Sequence, residues 1–156
     1  MHNPYDTLAR LGISLPPVST PAAAYLPFVQ AGSLVFLSGH IARRNGQIWS
    51  GQLGADLSLE EGQAAARAVA IDLMGTLQAA AGGDLRRIKR IVKLMGLVNS
   101  TGSFTDQHLV INGCSLLLAE VFGPVVGSHA RSAFGAVQIP LGACVEIEMV
   151  AELSEG

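Results

Sequence analysis

The stretch LSLEEGQAAARAVAIDLMGTLQAAAGG, residues 57–83, limits what this chain can become more than any other segment. Ser58 and Glu61 form an S-x-x-E capping box, which satisfies free backbone donors at a helix start. The Ala, Leu, Met and Gln that follow are good helix formers. Ala66, Val69, Leu73 and Leu77 recur at spacings of three and four, which puts them on one apolar stripe. Gly82-Gly83 stops the helix. A helix this long with one apolar stripe is suited to covering the face of a sheet.

The flanking segments predict that sheet. Residues 1–24 are rich in Pro, Ser and Ala; MHNPYDTLARLG has room for one short helical turn. LPPVSTPAAA is expected to be extended, because proline fixes φ and removes a donor. Phe28–Gln30 and Leu34–Leu37 are β-prone and flank Ala31-Gly32-Ser33, which reads as a hairpin. Asn45-Gly46 predicts a second turn between short extended pieces. IKRIVKLMGLVNS predicts a strand from Ile88 to Asn99, in which Ile91, Lys93 and Met95 alternate with Val92, Leu94 and Gly96. DQHLVINGCSLLLAEVFG predicts a second helix with Leu109, Leu116, Leu117 and Val121 buried. Thr105 or Ser103 would cap it, and Gly123-Pro124 would end it. HARSAFGAVQIPLGACVEIEMV, residues 129–150, predicts a closing hairpin turning at IPLG. The order β-β-(β)-α-β-α-β-β gives an α+β domain whose sheet is covered on one face by two helices. The length suits one domain spanning residues 1–156, with 1–24 as an extended lead-in.

Composition then says something about the sheet's other face. Charged residues are 14% and hydrophobic residues 49% of the chain, against roughly 25% charged in ordinary soluble domains. The membrane reading is set aside because the longest apolar region is taken as Ala64–Ala81, which contains Arg67 and Asp72. The N-terminus has no basic stretch leading into an apolar one. A cytoplasmic oligomer that buries the open sheet face is the expectation. The net charge of −2 and a pI near 6.0 argue against a nucleic-acid partner.

No Walker loop, G-x-G-x-x-G, G-x-S-x-G or H-E-x-x-H is present. Cys114 and Cys144 lie in apolar runs and read as buried reduced thiols, and the four histidines show no ligand spacing, so no metal site is expected. Seven residues remain: Arg131, Glu146, Glu148, Asn112, Ser38, His40 and Lys93. Arg131 is either an ion-pair partner at a strand end or a fork for a carboxylate. Glu146 and Glu148 share a strand face, and Glu148 reads as solvated. Asn112 is a helix amide, and Ser38-Gly39-His40 a turn. With a two-residue turn at Pro140-Leu141, Arg131 would oppose Val150. It would share a face with Glu146, roughly 13 Å away.

LVFLSGHIA and HARSAFGAVQIPLGACVEIEMVA, together with PFVQAG, GADLSLEEG, VKLMGLVNS and FTD, resemble the Rid family, also called the YjgF or L-PSP endoribonuclease-like family, across residues 22–153. The resemblance implies a chorismate-mutase-like fold and a homotrimer with a central barrel and pockets at subunit interfaces. It also implies hydrolysis of reactive enamines and imines such as 2-iminobutanoate to 2-oxoacids and ammonia, without cofactor or metal. Arg131 falls on the arginine that holds a substrate carboxylate, and Glu146 on the glutamate that activates water. Phe28, Ser38, Gly39, Asn112 and Ala133 fall on pocket positions. Phe28 replaces a tyrosine, Ala133 a cysteine and His40 a glutamine. A small-carboxylate binding module, an endoribonuclease or translation inhibitor, and another small-molecule hydrolase are the alternatives.

Overall fold

The computed structural model describes residues 2–18 and 23–155. The elements are α1 (Pro4–Arg10), β1 (Phe28–Ala31), β2 (Leu34–Ile41), β3 (Arg43–Arg44), β4 (Gln47–Ile48), α2 (Leu59–Ala80), β5 (Ile88–Asn99), α3 (Gln107–Val126), β6 (Ala130–Ala136) and β7 (Val145–Leu153). Five strands form one sheet in the order β1-β2-β7-β5-β6, and β3 pairs with β4 in a separate ribbon. Residues 15–18 of the proline-rich lead-in carry no regular element, as its prolines require; residues 19–22 of that segment lie outside the described residues.

α2 follows its sequence closely. The Ser58 side chain accepts from the Glu61 N–H, and the Glu61 carboxylate accepts from the Ser58 N–H. Ala66, Val69, Leu73 and Leu77 are fully buried. Each large side chain among them contributes about 1.5–3 kcal/mol of burial. Their partners are Val145, Ile147, Met149 and Ala151 of β7 and the buried face of α3, within one core cluster. The α+β order predicted above is the one observed, with α2 and α3 on the same sheet face.

α3 departs from expectation at several points. Leu116 is 68% exposed, whereas Val110, Ile111, Cys114, Leu118 and Phe122 join Leu117 and Val121 in the core. Neither Thr105 nor Ser103 caps the helix; Asp106 stands at the N-cap without a side-chain hydrogen bond. Gly123 (φ 85°) breaks the helix as predicted, but one more turn follows to Val126. Among the described residues α3, not Ala64–Ala81, is the helix long and apolar enough to cross a membrane by length and composition. In this fold its apolar face instead fills the core against α2 and β5.

Strict alternation also fails in β5. Ile91 and Leu94 are both buried, because the register with β7 slips between Ile91 and Lys93. Such a bulge inserts one residue and reverses the facing of those beyond it.

The closing hairpin is not formed. β6 pairs in parallel with β5, and β7 pairs antiparallel with both β5 and β2, so β5 lies between the two segments expected to be neighbours. The connection over residues 137–144 is long enough to step across β5. It is fastened by the Ser50–Ala143 bridge and by Cys144 N–H to the Trp49 carbonyl, 2.9 Å.

Candidate functional site

The strand order decides which candidates can meet. Phe28, Leu37, Met149, Leu94 and Arg131 form one register row across all five strands. Phe28 and Arg131 therefore stand at opposite sheet edges, four strand spacings or roughly 19 Å apart.

Arg131 points to the helix-covered side. Its Nη1 donates to Asn112 Oδ1 at 2.8 Å and to Ser115 Oγ at 3.1 Å, and its Nη2 donates to the His108 carbonyl at 3.1 Å. All three acceptors are on α3. They hold the guanidinium and leave Nε–H and one Nη2 hydrogen, on adjacent nitrogens, without a partner among the described residues. No acceptor in this set is charged, and Arg131 is in none of the ion pairs found among the described residues. Those pairs join Arg10 to Glu120, Arg86 to Asp84 and Lys89 to Glu152. Ala133, on the same side of β6, packs against the core edge. Arg131, Asn112 and Ala133 thus form one cluster.

Glu146 lies on the other face. Its neighbours Val145 and Ile147 are fully buried among the helices, so alternation turns Glu146 toward the open face. It sits two strands and three residues from Arg131, which corrects both the shared face and the Val150 pairing expected from a hairpin. Burial, then the charge of Glu148, pushes its carboxyl above the usual range. Glu148 itself is exposed, as expected.

Ser38 and Gly39 join Glu146. A bulge sets these two residues of β2 opposite the single Glu148 of β7. A β-carbon on Gly39 would lie 2.7 Å from Glu146 Oε2, so the carboxylate rests on bare backbone. The Ser38 hydroxyl donates to the Leu26 carbonyl, and Phe28 is in register with Leu37 beside it. The same bulge turns His40 inward. Its Nδ1–H donates to the Ser38 carbonyl at 2.7 Å, and its Nε2 accepts from the Thr76 hydroxyl at 2.7 Å. Burial holds its pKa below the usual value, opposed by the bond to Ser38. Ser38, Gly39 and Glu146 make a second cluster; Phe28, in register with the buried Leu37, packs against the core on the helix-covered side and is not part of it, and Lys93 is exposed and belongs to neither. Cys114 and Cys144 are free and buried, their thiols pushed up by burial to about 12 and about 11, which leaves both un-ionised.

A model of the YjgF/chorismate-mutase-like family, described as candidate endoribonucleases, matches residues 6–153. The chain belongs to this family. Protein TCP17 of Trypanosoma cruzi is 49% identical over 148 residues, 94% of this chain and 92% of that one. Among solved structures, Atu1372 of Agrobacterium tumefaciens, a protein of unknown function, is 38% identical with a TM-score of 0.89, covering 97% of this chain and 92% of its own. A Shewanella oneidensis endoribonuclease candidate is 33% identical with a TM-score of 0.92, covering 97% and 100%. This YjgF-type chain carries two site-adjacent residues that sequence reasoning passed over, Ser115 and His129. His108, Asn112 and Ser115 fall at i, i+4 and i+7, a polar stripe on an otherwise apolar helix. That stripe was the available signal.

Proposed function

We propose that the protein hydrolyses 2-imino acids to 2-oxoacids and ammonia, in a site that two copies of a homotrimer share. The observation that carries this reading is Arg131: a half-buried guanidinium, anchored by three uncharged acceptors, with adjacent donors turned to no anion among the described residues. Such a group suits a planar carboxylate. Within one protomer Glu146 lies on the opposite sheet face, so the Arg131 cluster of one copy needs the Ser38–Gly39–Glu146 cluster of another. The open face supports the same assembly, because Phe36 and Phe134 are 44% and 45% exposed on it, an apolar surface that association would cover.

In this site Arg131 holds the carboxylate and aligns the imine carbon. Glu146 takes a proton from water as the water oxygen bonds to that carbon. Glu146 returns that proton to the imine nitrogen, giving the neutral carbinolamine; Glu146 then takes the hydroxyl proton and passes it to the nitrogen as the C–N bond breaks, so that ammonia leaves, the C=O forms and the carboxylate is restored. A carboxylate with a raised pKa suits the base role, being a stronger proton acceptor than an ordinary one. RNA finds less support, since net charge is −2 and a phosphate backbone is met by a basic stripe.

The test is a coupled assay in which an amino-acid oxidase generates 2-iminobutanoate while semicarbazide competes for it. The protein should suppress semicarbazone formation. Arg131→Lys should lose most of that effect, because a point charge does not replace a fork. Wild-type kinetics in Arg131→Lys would sink the assignment.

A further inference from the structure

The bonds around Arg131 do not end at α3. His129 stands two residues before it, on the same side of the chain. Its Nδ1–H donates to the Gly127 carbonyl at 2.7 Å, which can only accept. A neutral imidazole carries one ring hydrogen, so Nε2 is left as an acceptor. The atom 2.9 Å from Nε2 is Ser115 Oγ, and the serine hydroxyl must therefore donate to it. With its hydrogen committed to His129, Ser115 Oγ presents lone pairs to Arg131 Nη1, 3.1 Å away. The direction of every bond in the chain Gly127–His129–Ser115–Arg131 is thus fixed by a backbone carbonyl.

Burial keeps His129 on the neutral side. Its pKa is lowered by desolvation first, opposed by the Gly127 bond, with the nearby charge of Arg131 adding to the lowering.

We infer that Ser115 and His129 are positioning residues for carboxylate recognition, orienting Arg131 so that its free donors face the ligand. The inference rests on the reading of Arg131 as the carboxylate fork. Neither residue touches substrate; each acts through the next. Asn112 and the His108 carbonyl fix two other donors, so losing the Ser115 bond leaves the guanidinium held but free to swing.

The probe is the stable product, 2-oxobutanoate, titrated calorimetrically. Steady-state kinetics of imine hydrolysis are measured alongside, so that KM and kcat are read separately. Ser115→Ala favours the helix and keeps the fold. It should weaken 2-oxobutanoate binding and raise KM about tenfold, the size of one charge-assisted hydrogen bond, while kcat changes far less. Ser115→Thr, which keeps a hydroxyl, should recover most of the loss. His129→Ala should reproduce the Ser115→Ala phenotype, and the double variant should be no worse than either single one, since the two act in series. Additive losses, or a fall confined to kcat, would overturn the relay. If Arg131→Ala abolishes binding while Ser115→Ala binds as wild type, the relay is wrong and the fork stands. If Arg131→Ala itself binds and turns over as wild type, the fork is wrong and the relay falls with it.

Discussion

Glu146 is the residue whose chemistry and stability pull in opposite directions. Its folded pKa is raised, first by burial and then by Glu148. The protonated form is therefore favoured by the fold. The stability it contributes is present below the unfolded carboxylate pKa and is lost as pH rises through the higher folded value. Above that value the ionised carboxylate works against folding while serving as base. Glu146→Gln should thus lower turnover sharply without lowering the melting temperature; a destabilised variant of unchanged turnover would remove Glu146 from the mechanism. The acid limb of kcat against pH should lie above the ordinary carboxylate range, and Glu148→Gln, by removing the second cause, should move that limb to lower pH. A limb that ignores Glu148→Gln would mean that another group titrates. At this scale the sequence was informative about residue type and silent about placement. Arg131 and Glu146 were legible as charges interrupting apolar strands. Their opposite facing was not, because alternation fixes facing within one strand and says nothing of which strand lies next to it.

Elements were legible where local chemistry was self-sufficient. The Ser58–Glu61 box and the alanine-rich run determine α2 without help from the rest of the chain. Leu116 could not be read in the same way, since α3 is apolar nearly all round and its period does not reveal which side meets the sheet. Bulges were equally hidden, being set by pairing with β7 rather than by residues within β2 or β5. Close packing of α2 on α3 depends on Gly113, where a β-carbon would overlap the Gln63 carbonyl oxygen. A glycine inside a helix ordinarily costs stability relative to alanine. Here Gly113→Ala should instead destabilise, by about 1–3 kcal/mol, as read by urea denaturation; a stabilised variant would show that the helices sit farther apart. His40 gives the β2 bulge a pH signature. Its folded pKa is depressed by burial, so its stabilising contribution is complete above the unfolded histidine value, about 6.5. That contribution is lost as pH falls toward the folded value. His40→Gln should flatten the melting temperature between about pH 7 and about pH 5. His129, also depressed, should retain part of the slope.

For the whole molecule, composition and topology point the same way. A chain with 14% charged residues covers one sheet face with α2 and α3 and leaves Phe36 and Phe134 on the other. The α+β order could be read from the sequence because each element announces itself locally. The strand order could not, because the eight residues 137–144 suit a loose hairpin as well as a step across β5. That step separates Arg131 from Glu146 and makes a second copy necessary to the proposed site. In solution the mass should be three times 16.2 kDa by light scattering, and a monomer at assay concentration would contradict the assembly. The most direct measurement is subunit complementation: Arg131→Ala and Glu146→Gln are co-expressed and the mixed oligomers assayed for 2-iminobutanoate hydrolysis. Each variant alone should be inactive. In random mixtures about a quarter of the sites draw a wild-type Arg131 from one copy and a wild-type Glu146 from its neighbour, so about a quarter of wild-type activity should return. A mixture as inactive as its two components would contradict a site built from two copies.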